Sequence, residues 1–235
     1  MTGLRNALKG EMRKLARRKK YNVLFILFMI VYLIGRAIAS FTHVSGASDV
    51  AMGNGLIVIY LPLIAFMAVN DLIASEIRDR SIQQCLVKPV TRMEVYFAKC
   101  LAAFIKCVRH AFWLILIDCV LMIFDMNAGS YLQVVYMLFD LIPLMTLVAF
   151  SALIAVVVRN PALSMLLTLV VYAGLHVAGS FLGVSPILFT SYLGWHGMLH
   201  GGLSLIGFIE RFLAVTAPGI MFTALGAIVL ERKRF

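Results

Sequence analysis

The chain has 235 residues, of which 62% are hydrophobic and 14% charged, with a formal net charge of +10. A soluble globular domain is near half apolar and a quarter charged, so this composition points to an integral membrane protein and excludes an ordinary soluble enzyme. Alternating ten-residue strands are absent, which argues against a β-barrel, and no basic folded surface is available for nucleic acid.

The first element is residues 1–20. Leu4, Leu8, Met12 and Leu15 fall at helical spacing, with Arg5, Lys9, Arg13 and Arg17 on neighbouring positions. The pattern predicts a basic amphipathic helix in the inner membrane interface, the plainer alternative being an unstructured basic leader. Six apolar stretches follow, each near the roughly 20 residues a span requires: Tyr21–Ser40, Gly53–Ala74, His110–Phe124, Val134–Val158, Ala162–Leu182 and Arg211–Leu230. The fold expected is all-α, one membrane domain over 1–235 with six spans. The first stretch is too long for a signal-peptide core. Of the 21 basic residues, 19 fall in alternate connectors, and only Arg36 and Arg211 fall near the other side. The positive-inside rule then places both termini in the cytoplasm.

The connector 76–99 is the longest charged one. Ser81 with Gln84 and Thr91 with Glu94 both fit a capping box, and Pro89 separates them. This predicts a short helix, a break, and a second helix beginning at Thr91. If that helix runs to Phe124 it has about 33 residues and is about 50 Å long, more than the bilayer core of about 30 Å. It reads as a rigid cytosolic stalk, with Lys99, Lys106 and Arg109 snorkelling at its base. Arg159-Asn160-Pro161 predicts a tight inner hairpin, Asn160 as N-cap and Pro161 as first helical residue. The stretch 183–210 is too apolar for a solvated loop and is expected to be outer and partly embedded.

Chemistry-bearing residues are few. No phosphate-binding glycine loop, zinc-protease or serine-hydrolase motif occurs, so the chain is not expected to be an enzyme. Asp118 and Asp140 lie within spans, each eight residues from one outer turn. Intramembrane carboxylates are costly, so they either line a polar substrate or proton path, with Arg36 as a partner, or are each satisfied locally. His196 and His200 are four apart but too few for a structural metal site, and no metal is expected. His110 and His176 read as packing or hydrogen-bonding residues. The cysteines Cys85, Cys100, Cys107 and Cys119 lie on the side read as cytosolic, where disulfides are disfavoured.

The leader Leu4–Lys20 with Glu11 inside it, Asp71–Glu76 followed by Arg78–Arg80, Pro89-Val-Thr-Arg92 with a later Lys99, and the ending Leu230-Glu-Arg-Lys-Arg-Phe235 together resemble the type 2 export-permease family of ATP-binding-cassette exporters. Arg80-Ser81 departs from the Gly-Thr pair common there. The resemblance implies a membrane subunit that pairs with a second permease copy and with separate ATPase subunits, which would carry ATP and magnesium while this chain binds no cofactor. It implies an ATPase-coupling helix within 76–99, carried by Glu76, Arg78, Asp79, Arg80, Ser81, Ile82, Cys85, Leu86, Pro89, Thr91 and Arg92, with Arg159 nearby. It implies a connecting helix in the leader, with Glu11 and Arg13. Short outer connectors favour a hydrophobic or amphipathic substrate, such as a peptide moved by a bacterial exporter. The rival reading is a self-contained secondary transporter or channel using Asp118 and Asp140.

Overall fold

In a computed structural model, residues 2–41, 59–79, 91–125, 141–158, 160–182, 189–191 and 205–232 are described. They are helical apart from short connections, with no strand among them. The helices are α1 (Thr2–Arg17), α2 (Lys20–Phe41), α3 (Ile59–Arg78), α4 (Arg92–Asp125), α5 (Leu141–Val157), α6 (Pro161–Leu182) and α7 (Leu205–Arg232), with a 3₁₀ turn at Phe189–Ser191. Four are long and apolar enough to cross a membrane: α3, α4 over Arg92–Ile117, α6 over Pro161–Gly179, and α7 over Ile209–Arg232. Shorter apolar stretches, Lys20–Gly35 and Leu141–Val157, mark α2 and α5. Among the described residues the six-span expectation therefore stands at four.

Two local expectations are met by their own hydrogen bonds. The Thr91 N–H donates to Glu94 Oε2 at 2.9 Å, and the Glu94 N–H donates to Thr91 Oγ1 at 3.2 Å. This reciprocal pair starts α4, which then runs 34 residues, or about 51 Å. At α6, the Ala162 N–H donates to Asn160 Oδ1 at 3.0 Å, with Pro161 in the first turn. The last helix starts at Leu205 rather than Arg211, so part of the stretch expected as an outer connector is helical. Of that stretch, Phe189 and Thr190 are buried in the protein.

Most of α3 lies inside the protein, whereas α6 and α7 turn most of their apolar surface outward. Leu163, Leu166 and Val170 on α6 and Ile220 and Met221 on α7 are exposed, a distribution suited to hydrocarbon surroundings. α5 and α7 pack most extensively. Thr146 Oγ1 donates to the Val215 carbonyl at 2.9 Å, and a Cβ on Gly219 would come within 2.8 Å of that hydroxyl oxygen. Gly219 is thus where the two backbones approach. Phe150, Phe189 and Phe222 form a triangle with centroids 5.4 to 5.5 Å apart.

α1 is a helix, as its periodicity predicts, and it is packed on the protein. Its apolar face is not free for lipid, because Leu15 is buried and Leu8 and Met12 pack against the protein core, with α4 as the main neighbour. The base of α4 is not a free-standing stalk either. Tyr96 is fully buried against Gly226 of α7, and Arg92 donates to the Glu231 carbonyl at 3.2 Å.

Candidate functional site

The charged residues of α1, α3 and α4 converge in one buried cluster. Its centre is a closed ring of alternating charge. Lys14 Nζ lies 2.9 Å from Glu11 Oε1 and 2.7 Å from Glu76 Oε1. Lys99 Nζ lies 2.7 Å from Glu76 Oε2 and 3.2 Å from Glu11 Oε1. Two carboxylates and two ammonium groups make the ring neutral, which is what allows charges to sit out of water. Lys99 is only 1% exposed, so it does not snorkel as expected; its charge is held inside by two carboxylates. Lys14 is the open corner, with 42% of its side chain exposed. Burial works against its charge, but the hydrogen bonds it donates to Glu76 and Glu11 and their negative charge outweigh this and hold its pKa above the ordinary lysine range.

A second knot is built on Asp71. Its Oδ1 receives Lys20 Nζ at 2.7 Å and Arg18 Nη1 at 2.8 Å, while Oδ2 accepts from the Tyr21 hydroxyl. The ammonium of Lys106, also buried, stands 4.7 Å above the Tyr21 ring, the distance of a cation–π contact. The link from α1 into α2 is thereby tied to α3 and α4.

A change of helix type lets one helix serve both knots. In an α-helix, residues five apart diverge by about 140°. Between them α3 widens into a π turn, Asn70–Ala74, where the Ser75 N–H bonds to Asn70 O, five residues back. The wider turn brings Asp71 and Glu76 towards one face. The Ser75 hydroxyl donates to the Asp71 carbonyl and the Asn70 amide to Phe66 O at 2.8 Å, satisfying carbonyls that the widened turn loosens.

The residues expected to act in coupling separate into distinct settings. Glu11 and Glu76 are ring members. Arg78 and Asp79 form an exposed pair at 2.8 Å, and this bond holds the Asp79 carboxyl below its usual range. Arg13 is exposed, Thr91 is the cap, and Arg92 faces the end of α7. Arg80, Ser81, Ile82, Cys85, Leu86, Pro89, Arg159 and Asp140 lie outside the described residues, as do His196 and His200. Asp118 is on α4 and Arg36 on α2, their side chains likewise outside. Cys100, Cys107 and Cys119 are free thiols. Lys14, Arg18, Lys20, Tyr21 and Asp71 were not expected as site residues. The signal for them was the concentration of opposite charge at the ends of otherwise apolar segments.

Further along the apolar helices the surroundings change. Tyr60 of α3 and His110 of α4 share a hydrogen bond of 2.8 Å between the hydroxyl and Nδ1, enclosed by Phe25 and Phe28 of α2. His176 Nδ1 lies 3.2 Å from the Thr190 carbonyl. Between α3 and α6 is a groove of about 480 Å³, lined by apolar residues such as Pro62, Phe66, Leu169 and Val177, with Tyr172 and His176 as its polar members. Such a lining suits an apolar ligand with one or two polar groups.

A family model described as ABC-2 family transporter protein matches residues 7–175, well over half of the chain and every residue of the charge cluster. The chain belongs to this family. It is a multi-pass membrane protein and the membrane subunit of an ABC transporter, whose partners include ABC ATPases. Comparison with curated proteins gave no match. In this permease the matched region includes α1 from residue 7 onward and all of α3 and α4, so the ion ring is built by the family segment itself.

Proposed function

We propose that this permease is an export subunit, in which the segment 76–99 docks on the ATPase and the ion ring carries the resulting motion into α3 and α4. The observation that carries the reading is the ring. Glu76 ends the descent of α3 and Lys99 stands on the first turns of α4, so the two roots of the segment are joined to each other and to Glu11 of α1. A displacement of the segment then moves three helices together. Thr91 and Glu94 keep the entry into α4 stiff. Ile82, Cys85 and Leu86 supply the apolar docking face, with Arg78–Arg80 around it, while ATP and magnesium remain on the partner. The groove between α3 and α6 receives a hydrophobic or amphipathic substrate such as a peptide, and a second permease copy completes the path. Both termini lie in the cytoplasm.

The test is the permease co-purified with its ATPase and reconstituted in vesicles. Leu86→Asp is expected to lose ATPase binding while inserting normally. Glu76→Gln is expected to keep ATPase binding but lose most ligand-stimulated hydrolysis and transport. Full stimulation in Glu76→Gln, or undiminished ATPase capture by Leu86→Asp, contradicts the reading.

A further inference from the structure

We infer that the outward face of α1 is a binding surface for anionic lipid headgroups of the cytoplasmic leaflet. The inference rests on the cytoplasmic placement of α1 proposed above and deepens that reading. An amphipathic basic helix ordinarily uses its apolar face to enter the membrane, and its charges follow. Here the apolar face is already spent on the protein, with Leu15 buried and Glu11 locked by Lys14 and Lys99. What α1 presents outward is Arg5, Lys9, Arg13 and Arg17, all exposed and without an ion-pair partner among the described residues. Each is four residues from the next, advancing only about 40° per step, so they occupy one side of the helix over about 18 Å. Glu11 and Leu15 lie on the opposite side. The acidic residue of α1 thus faces inward, and the outward side carries positive charge alone.

The placement favours lipid over an acidic protein surface. Only Arg18 and Lys19 separate α1 from α2, whose apolar run begins at Tyr21, so the C-terminal half of α1 is held at the level where a bilayer surface begins. Arg18 and Lys20 are engaged by Asp71, which fixes that junction. Basic clusters directly cytoplasmic of a span attract anionic headgroups, and each such residue contributes separately. Because the ring and the Asp71 knot order α1 in advance, little ordering cost is added on binding.

The full-length chain, purified in neutral detergent, is titrated with short-chain phosphatidylglycerol or phosphatidylcholine, following bound lipid by native mass spectrometry and the shift in Tm. The expected result is a preference for phosphatidylglycerol that falls as salt rises from about 50 to about 500 mM. Combined Arg5→Gln, Lys9→Gln, Arg13→Gln and Arg17→Gln should lower that preference at least about tenfold. Arg109→Gln with Arg232→Gln, two exposed charges elsewhere, should leave most of it. If the quadruple variant does not fold, the pairs Arg5/Lys9 and Arg13/Arg17 are each expected to lose part of the preference. Equal binding of both lipids, or full preference in the α1 variants, overturns the inference. So does lost ATPase capture with intact lipid preference, which would make the face a protein dock. Impermeant labelling of Thr2→Cys in cells reads the orientation separately, so failure of the topology and failure of lipid binding are told apart.

Discussion

The contact between α1, α3 and α4 and the contact between α5 and α7 join helices by opposite means. The first is held by ion pairs between side chains that reach across from separate backbones. The second is held by close approach, with Gly219 against Thr146 and a triangle of phenylalanines, and with no ion pair among the described residues. Close-packed contacts lose energy gradually with each missing or added methylene. A buried ion ring is all-or-none, because removing one member leaves another charge stranded in a poorly polarisable setting. Under the proposed coupling role, the device suits the end of the molecule that would transmit motion without slack. The packed contact suits helices that have only to stay together.

That contrast sets the order of expected effects. Lys99→Met leaves Glu76 and Glu11 with Lys14 alone, one cation for two buried carboxylates, and should cost about 3–5 kcal/mol, seen as a large fall in thermal midpoint in detergent. Gly226→Leu forces a side chain into the volume held by the Tyr96 ring and should cost about 1–3 kcal/mol, with no dependence on salt. If Gly226→Leu proves the more damaging, the base of α4 is held by shape rather than by charge. Thr91→Ala removes the α4 cap at an exposed position and should cost about 1 kcal/mol, with Thr91→Ser close to wild type. A loss in Thr91→Ala as large as that in Lys99→Met would erase the distinction between local and tertiary anchoring.

What the sequence disclosed follows the same division. The caps at Thr91 and Asn160 were legible because their partners are two or three residues away. The length of α4 and the apolar helices were legible because composition reports them directly. The ring was not, since Lys14 and Glu76 are 62 residues apart and Lys99 and Glu76 are 23 apart. Regular helical geometry also misplaces Asp71 relative to Glu76, because nothing local in Asn70-Asp-Leu-Ile-Ala74 announces a π turn. What covers the apolar face of α1 was not legible for a related reason. Periodicity shows that a face is apolar but not what covers it, and here α4 covers it.

The central claim is that Glu76 and Lys99 act as one unit joining α3 to α4. A double-mutant cycle on the purified full-length permease measures it, comparing thermal unfolding of wild type, Glu76→Gln, Lys99→Met and the double variant. The expected interaction energy is near the upper end of the roughly 0.5–3 kcal/mol seen for residues in one network, with the double variant more stable than Lys99→Met alone. Additive losses within about 0.5 kcal/mol would contradict the account.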